Sequence, residues 1–150
     1  MIRFFVIGGE SEKNNWYERI DVPENYINYP NFVQFLRSIS ATMDFAIAPL
    51  ADNEFNKSKS SLKFLEYAGA GLSGLYSDVC IYRKLVEESG FGGLVFNSEE
   101  GWLHALTVAI SNKDMMRDQG ISVRNWVEAN YTIEQKRDWF DSLFFQVSDA

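Results

Sequence analysis

The sequence predicts an α/β fold, a Rossmann-like three-layer sandwich with a mainly parallel sheet of about five strands and a run of C-terminal helices. Up to residue 97, short apolar runs alternate with amphipathic segments, which is the element order of a parallel sheet covered by helices. The runs contain few polar residues, as expected of strands buried on both faces. The length of 150 residues suits one domain.

Each predicted element follows from a local pattern. Apolar or aromatic runs predict strands at 2–7, 26–29, 45–48, 75–77 and 94–96. Apolar residues at helical spacing predict helices at 31–41, 58–70, 81–88, 98–111, 113–129 and from Thr132 onward. Asn31, Ser98 and Thr132 are suited to cap the starts of their helices, and Gly71 is suited to end the second helix.

Composition and charge argue against several classes of function. The net charge of −7 disfavours a nucleic-acid surface, which is usually basic. Cys80 is the single cysteine, so no internal disulfide is predicted and a cytoplasmic location is expected. No apolar run approaches the roughly 20 residues that span a bilayer, so no transmembrane segment is predicted. The single histidine, His104, has no motif of further metal ligands around it, so neither a metal nor a cofactor is predicted.

A basic, hydroxyl-rich cluster lies at the predicted start of the 58–70 helix and comprises Asn56, Ser58, Lys59 and Ser60. Free N–H groups and the dipole at a helix start favour an anion. A lysine there opposes the dipole by about 0.3–1 kcal/mol, and an anionic ligand would turn that conflict into attraction. Ordinary serine capping with solvated lysines explains the same residues, and both interpretations stay open.

Glu66 is the second candidate site residue. Because Leu65 and Tyr67 flank it, the carboxylate is expected to be partly buried and therefore to need polar partners. A sugar diol is a suitable partner, since each carboxylate oxygen can accept a hydroxyl proton. Ser58 precedes Glu66 by eight residues, which predicts that both face one groove from the same helix. The alternative is a surface glutamate paired with a neighbouring lysine.

Residues 25–145 resemble a known family in the order and spacing of many positions. These positions are Asp44, Ala48-Pro49-Leu50, Phe55-Asn56, Lys59-Ser60, Lys63, Glu66-Tyr67, Gly71, Ser77-Asp78, Tyr82, Gly93-Leu94-Val95, Trp102, Arg117, Val127 and Tyr131. The pattern is similar to the C-terminal, donor-binding domain of the two-Rossmann-domain (GT-B) retaining glycosyltransferases, especially those that build bacterial surface polysaccharides. The resemblance implies a domain that binds a nucleotide-sugar.

The resemblance also assigns roles within the site. It implies that Glu66 holds the ribose hydroxyls, that Lys59 and Ser60 lie near the diphosphate or the transferred sugar, and that the peptide around Tyr29 lies near the base. Many relatives carry a glutamate where Ser58 stands here, so the contact with the sugar is expected to differ or to be supplied by Lys59 or Glu54. No catalytic residue is assigned.

The resemblance further implies that the chain is part of a larger two-domain enzyme and is inactive alone. The acceptor-binding N-terminal domain has no counterpart in the sequence, and that domain could bring the enzyme to the inner membrane. The first strand and helix of the donor domain also have no counterpart. We therefore expect one sheet in the order 26–29, 2–7, 45–48, 75–77, 94–96, or a homodimer in which a second copy fills the gap between 2–7 and 45–48.

Two other functions are compatible with the same elements. One is a non-catalytic flavodoxin-like module for regulation or partner binding. The other is a sugar-phosphate epimerase of similar architecture, although such an enzyme would need more acid and base residues than this chain carries. The nucleobase, the sugar and the acceptor of the predicted transferase are not specified by the residues.

Overall fold

A computed structural model describes residues 1–8 and 16–145. Its strands are β1 (Phe5–Ile7), β2 (Glu18–Ile20), β3 (Ala46–Ala48), β4 (Gly74–Ser77) and β5 (Gly93–Val95). Its α-helices are α1 (Tyr29–Ser40), α2 (Glu54–Lys57), α3 (Leu62–Gly69), α4 (Cys80–Ser89), α5 (Glu99–Ser111), α6 (Lys113–Asn130) and α7 (Ile133–Phe145), and a 3₁₀ turn covers Glu24–Tyr26. None of the helices described is long and apolar enough to cross a bilayer.

The strands form two parallel sheets, which confirms the α/β class and the parallel pairing but not the single five-stranded sheet. β1 pairs with β2, and β3, β4 and β5 form a second sheet in that order. The predicted direct pairing of the 2–7 and 45–48 strands is wrong, because β1 and β3 are edges of separate sheets. The strands predicted at 45–48, 75–77 and 94–96 are confirmed to within one residue.

The predicted strand at 26–29 is wrong as well. That segment contains the 3₁₀ turn and the start of α1, whose N-cap is Asn28 rather than Asn31. The Asn28 side chain accepts a hydrogen bond from the N–H of Asn31, and Pro30 lies in the first turn, where proline favours a helix. The strand next to β1 is instead the polar segment Glu18–Ile20, which lacks the apolar pattern of a buried strand.

The helix predicted at 58–70 begins later, at Leu62, because residues 58–61 form a loop that follows a separate short helix, α2. α2 ends at Lys57 with Ser58 as its C-cap, and α3 begins at Leu62 after Ser61. Ser58 therefore does not start the helix that carries Glu66, and the argument that both share one helical face is wrong. The short α2 forms because the Asn53 side chain accepts a hydrogen bond from the N–H of Asn56 and so caps it.

Helices cover both faces of the β3–β4–β5 sheet and give three layers. Successive residues of β4 point to opposite faces, so Tyr76 packs with Phe64 and Val123 while Leu75 packs with Ala109. One core thus joins the sheet to α3, α4 and α6, and the other joins it mainly to α5 and to the start of α6. The Rossmann-like layer arrangement is confirmed for this sheet.

A close backbone contact fixes α6 against the end of α3. Gly71 follows α3 with a φ of +80°, a conformation that suits glycine. A Cβ added to Gly120 of α6 would lie 2.2 Å from the Gly71 carbonyl oxygen and 3.1 Å from the Ser73 nitrogen. Only glycine at this position lets α6 approach so closely.

We predict that Gly120→Ala lowers the free energy of unfolding by about 1–3 kcal/mol, because the added methyl forces α6 away from the end of α3. Urea denaturation measures the change. The matched control is Gly69→Ala in α3, where the added Cβ meets nothing within 4 Å. The control variant should be neutral or stabilised by up to about 1 kcal/mol. Equal stability of the two variants would contradict the close contact.

Candidate functional site

A hydrogen-bond network ties the carboxyl ends of β3, β4 and β5 together. The Leu50 N–H donates to Ser77 Oγ at 2.7 Å, and the Leu50 carbonyl accepts from Asn97 Nδ2 at 3.0 Å. Ser77 Oγ donates to Asn97 Oδ1 at 3.2 Å, and Trp102 Nε1 donates to the same oxygen at 3.2 Å. These contacts fix the loop that leaves β3, in the region where parallel sheets bind ligands.

Glu66 lies almost buried in the second turn of α3. Its side chain is 4% exposed, and Lys63 Nζ donates to its Oε2 at 2.7 Å. Within the part of the chain that the structure describes, no other group hydrogen-bonds to this carboxylate, so Oε1 keeps its acceptor capacity. The partial burial predicted from sequence is confirmed, and the partner is the neighbouring lysine that the alternative interpretation named.

The charge of the Glu66 carboxylate acts on three tyrosine hydroxyls, those of Tyr29, Tyr67 and Tyr82. Burial, followed by the charges of Tyr82 and Glu66, raises the pKa of Tyr67 to about 12. Burial and then the Glu66 charge also raise the pKa of Tyr29 and of Tyr82. A nearby anion opposes loss of a phenolic proton, so all three hydroxyls remain donors at neutral pH. We call Lys63, Glu66 and these three tyrosines the Glu66 cluster.

The loop between α2 and α3 carries Lys59 and Ser60. The Lys59 ammonium lies 4.8 Å from the centroid of the exposed Phe55 ring, and the residues described offer it no ion-pair partner. Ser58 does not cap α3, because its Oγ donates to the Glu54 carbonyl at 3.2 Å. Ser61 holds the N-cap position of α3 without a side-chain cap, which leaves first-turn N–H groups available.

Asn56 has a structural role. It is 8% exposed, and its Nδ2 donates to the Ala51 carbonyl at 2.8 Å while its backbone N–H donates to Asn53 Oδ1. Both bonds hold the loop after β3 in a tight turn. The predicted residues therefore divide: the Glu66 charge acts on Tyr29, Lys59 and Ser60 lie in the loop before α3, and Asn56 and Ser58 make local backbone contacts.

A polar cavity of about 600 Å³ lies beside the carboxyl end of β4. Its lining includes the cations Lys57, Arg83 and Lys84 and the thiol of Cys80. Each cation already faces a carboxylate: Lys57 faces Glu54 and Asp52, Arg83 faces Asp78, and Lys84 faces Glu88. Because each of these cations is paired with a carboxylate, the cavity has less unpaired positive charge than the loop that carries Lys59. Within residues 1–8 and 16–145, no three His, Cys, Asp or Glu side chains are grouped to hold a metal ion.

The site list drawn from sequence omitted three members of the Glu66 cluster. Lys63 and Glu66 have the i, i+3 spacing of a helical ion pair, so that pair was readable in the sequence. Tyr67 was visible only as an aromatic neighbour of Glu66. Tyr82 comes from the next helix, and its approach to Glu66 depends on how α3 and α4 pack on the same face of the sheet.

No family model, no curated protein and no solved structure matches this chain.

We predict that Ser77→Ala lowers the free energy of unfolding by about 1–3 kcal/mol, because it leaves the Leu50 N–H without its partner. Ser77 is fully buried, so water cannot easily replace the hydroxyl. Urea denaturation and hydrogen exchange at the Leu50 amide measure the effect.

The control for this prediction is Ser122→Ala in α6. Among the described residues, that serine donates to the Asp118 carbonyl one turn earlier and to no other group, so its removal should change stability by a few tenths of a kcal/mol or less. If Ser77→Ala were as harmless as the control and left Leu50 exchange unchanged, the network would not fix the loop.

Proposed function

We propose that this chain is the nucleotide-sugar donor-binding half of a glycosyltransferase. The full enzyme would transfer a sugar from a nucleoside diphosphate to an acceptor hydroxyl in polysaccharide or glycan biosynthesis. The proposal rests on the resemblance of residues 25–145 to retaining transferases of the two-Rossmann-domain type. The observation that carries it is the nearly buried Glu66 carboxylate with one oxygen free to accept.

A buried carboxylate with spare acceptor capacity is unfavourable unless a ligand or water uses it. Lys63 satisfies one oxygen from its half-exposed position, and the other oxygen can accept a hydroxyl. Two neighbouring hydroxyls of a ribose suit a carboxylate, because each oxygen can accept one donor. This geometry and the resemblance both support the proposal that Glu66 holds the ribose.

Tyr29 is the candidate contact for the base. Its ring is about half exposed at the first turn of α1, and its hydroxyl feels the Glu66 charge. A flat aromatic ring beside the ribose-binding carboxylate offers a surface on which a nucleobase can stack. The base and the ribose would then be held by neighbouring groups from α1 and α3.

Lys59, Ser60 and the start of α3 are the candidate contacts for the diphosphate. Lys59 is free of carboxylate partners among the described residues, and the first turn of α3 has uncapped N–H groups. Both features favour an anion. As the sugar leaves, negative charge grows on the diphosphate, and a lysine with helix N–H groups would stabilise that charge. Acceptor binding would belong to a separate domain.

We predict that Glu66→Gln weakens binding of a nucleoside diphosphate by roughly tenfold to a hundredfold, because the amide accepts less strongly and loses its attraction to Lys63. Thermal-shift titrations with UDP, GDP, ADP and CMP and their sugars identify the preferred nucleotide. Isothermal titration of that nucleotide then measures the change in Kd.

The matched control is Glu128→Gln, which breaks a similar ion pair with Arg124 on the surface of α6. It should leave the nucleotide Kd unchanged. If no nucleotide stabilised the wild-type chain at millimolar concentration, the result would contradict the proposal and favour the flavodoxin-like module.

We predict that Lys59→Ala weakens binding of the preferred nucleoside diphosphate by roughly threefold to tenfold and reduces its salt dependence, because one exposed cation is lost. Binding of the corresponding nucleoside should not change, since it lacks the phosphates. The control is Lys136→Ala, a lysine 4.4 Å from the Tyr131 ring centroid in an equivalent contact. Equal effects on nucleoside and nucleoside diphosphate would place Lys59 away from the phosphates.

A further inference from the structure

The ion pair between Lys63 and Glu66 runs in an unfavourable direction along α3. Lys63 Nζ lies 2.7 Å from Glu66 Oε2, and the lysine occupies the first turn of the helix, one turn before the glutamate. A cation in the first turn opposes the helix dipole, and a lysine that precedes its glutamate is the less favourable order for such pairs. The stability of the helix therefore does not explain the pair.

Burial adds a second cost to the same pair. The Glu66 side chain is 4% exposed, and a single salt bridge offsets only part of the cost of removing a carboxylate from water. Apolar side chains of similar size at both positions would avoid that cost, since α3 already buries Phe64 and Ala68 beside Glu66. The pair is thus expected to lower the stability of the fold, which indicates that its role is not in folding.

Lys63 is the group that sets the direction of the Glu66 carboxylate. The Tyr67 hydroxyl donates to the Ile47 carbonyl at 3.0 Å instead. In the described part of the chain, neither Tyr29 nor Tyr82 hydrogen-bonds to Glu66, although both hydroxyls feel its charge. Because Lys63 holds Oε2, the carboxyl group cannot turn freely, and Oε1 keeps one direction in which to accept a donor.

The neighbouring helix α1 holds Lys63 in turn. The Lys63 ammonium lies 5.8 Å from the centroid of the Phe32 ring, close enough for a cation to be attracted to an aromatic face. Lys63 and Phe32 also line the same cavity of about 440 Å³. Phe32 follows Tyr29 by one turn of α1. The helix that carries the proposed base contact therefore also supports the lysine that holds the carboxylate.

We infer that Lys63 is a positioning residue for Glu66 and that it sets the preference of the site for a ligand with ribose hydroxyls. The inference rests on the proposed function, in which Glu66 accepts those hydroxyls. A carboxylate oxygen that is held in one direction is left unpaired by a sugar without the matching donor, and an unpaired buried acceptor weakens binding. Lys63 acts through Glu66 and needs no contact of its own with the sugar.

The first measurement compares the preferred nucleoside diphosphate with its dideoxy form, which lacks both ribose hydroxyls. Isothermal titration of the wild-type chain should give a Kd that is about tenfold to a hundredfold higher for the dideoxy form. Lys63→Met should reduce this ratio to about threefold or less, because the carboxylate is no longer held in one direction. Lys63→Arg should restore the ratio, since a guanidinium can donate to the same oxygen.

The second measurement is the urea midpoint of unfolding without any ligand, which does not depend on the proposed function. Lys63→Met alone should lower the midpoint, because it leaves a buried carboxylate without its cation. Combining Lys63→Met with Glu66→Met should return the midpoint to the wild-type value or above it, since both charges are then absent. The double variant should also lose the preference for the ribose form.

The matched control is Lys84→Met, which breaks an exposed pair with Glu88 on α4. Pairs of this kind contribute little to stability, so the control should keep both the wild-type midpoint and the wild-type ratio of Kd values.

Three results would overturn the inference. In the first, Lys63→Met weakens binding of both nucleotide forms by the same factor, so that the ratio stays at the wild-type value; the proposed function would then stand and Lys63 would be structural. In the second, the double variant has a lower urea midpoint than the wild type, which would make the pair part of what stabilises the fold. In the third, the wild-type chain binds neither form at millimolar concentration, which would overturn the proposed function and this inference with it.

Discussion

The buried hydroxyl of Ser77 joins the three central strands at the end where ligands bind parallel sheets. It accepts from Leu50 after β3 and donates to Asn97 after β5, while Asn97 returns a bond to the Leu50 carbonyl. β3 is only three residues long and pairs with one neighbour among the described strands, so it needs such support where it ends. From this fixed loop the chain continues into α2, then into the loop that carries Lys59, and then into α3. The hydrogen bonds between the strand ends, rather than contacts within the loop after β3, therefore set the position of the candidate site.

Glu66 shows why the helix after this loop differs from an ordinary surface helix. α3 buries Phe64 and Ala68 against the sheet, and Glu66 is buried with them. A salt bridge to one half-exposed lysine offsets only part of the cost of removing a carboxylate from water. Its charge, together with burial, raises the pKa of three tyrosines, whose hydroxyls stay protonated at neutral pH. A nearly buried carboxylate of this kind is costly to keep in a helix that only packs against a sheet.

The sequence predicts strands and helices well where buried apolar residues recur at a regular spacing, and it predicts the ends of these elements less well. The strands at 45–48, 75–77 and 94–96 are apolar runs beside clear helices, so pattern sufficed. β2 was missed because Glu18 and Arg19 are exposed on an edge and carry no apolar signal. The strand predicted at 26–29 stops before Pro30, but this proline lies in the first turn of α1, since proline fits both places. The Glu66 cluster is only partly predictable: Tyr29 is named by the resemblance and Lys63 lies one turn from Glu66, whereas Tyr82 belongs to α4 and depends on how that helix packs.

Tyr67 connects the Glu66 cluster to the central sheet. Its hydroxyl donates to the Ile47 carbonyl of β3 at 3.0 Å, and the Glu66 charge contributes to the raised pKa of the same hydroxyl. Lys63, which pairs with Glu66, and Tyr67 both line a cavity of about 440 Å³ beside β3. A group bound in that cavity would therefore contact the residues that orient and neutralise the carboxylate. Coupling of this kind needs no long path, because one tyrosine joins β3 to the cluster.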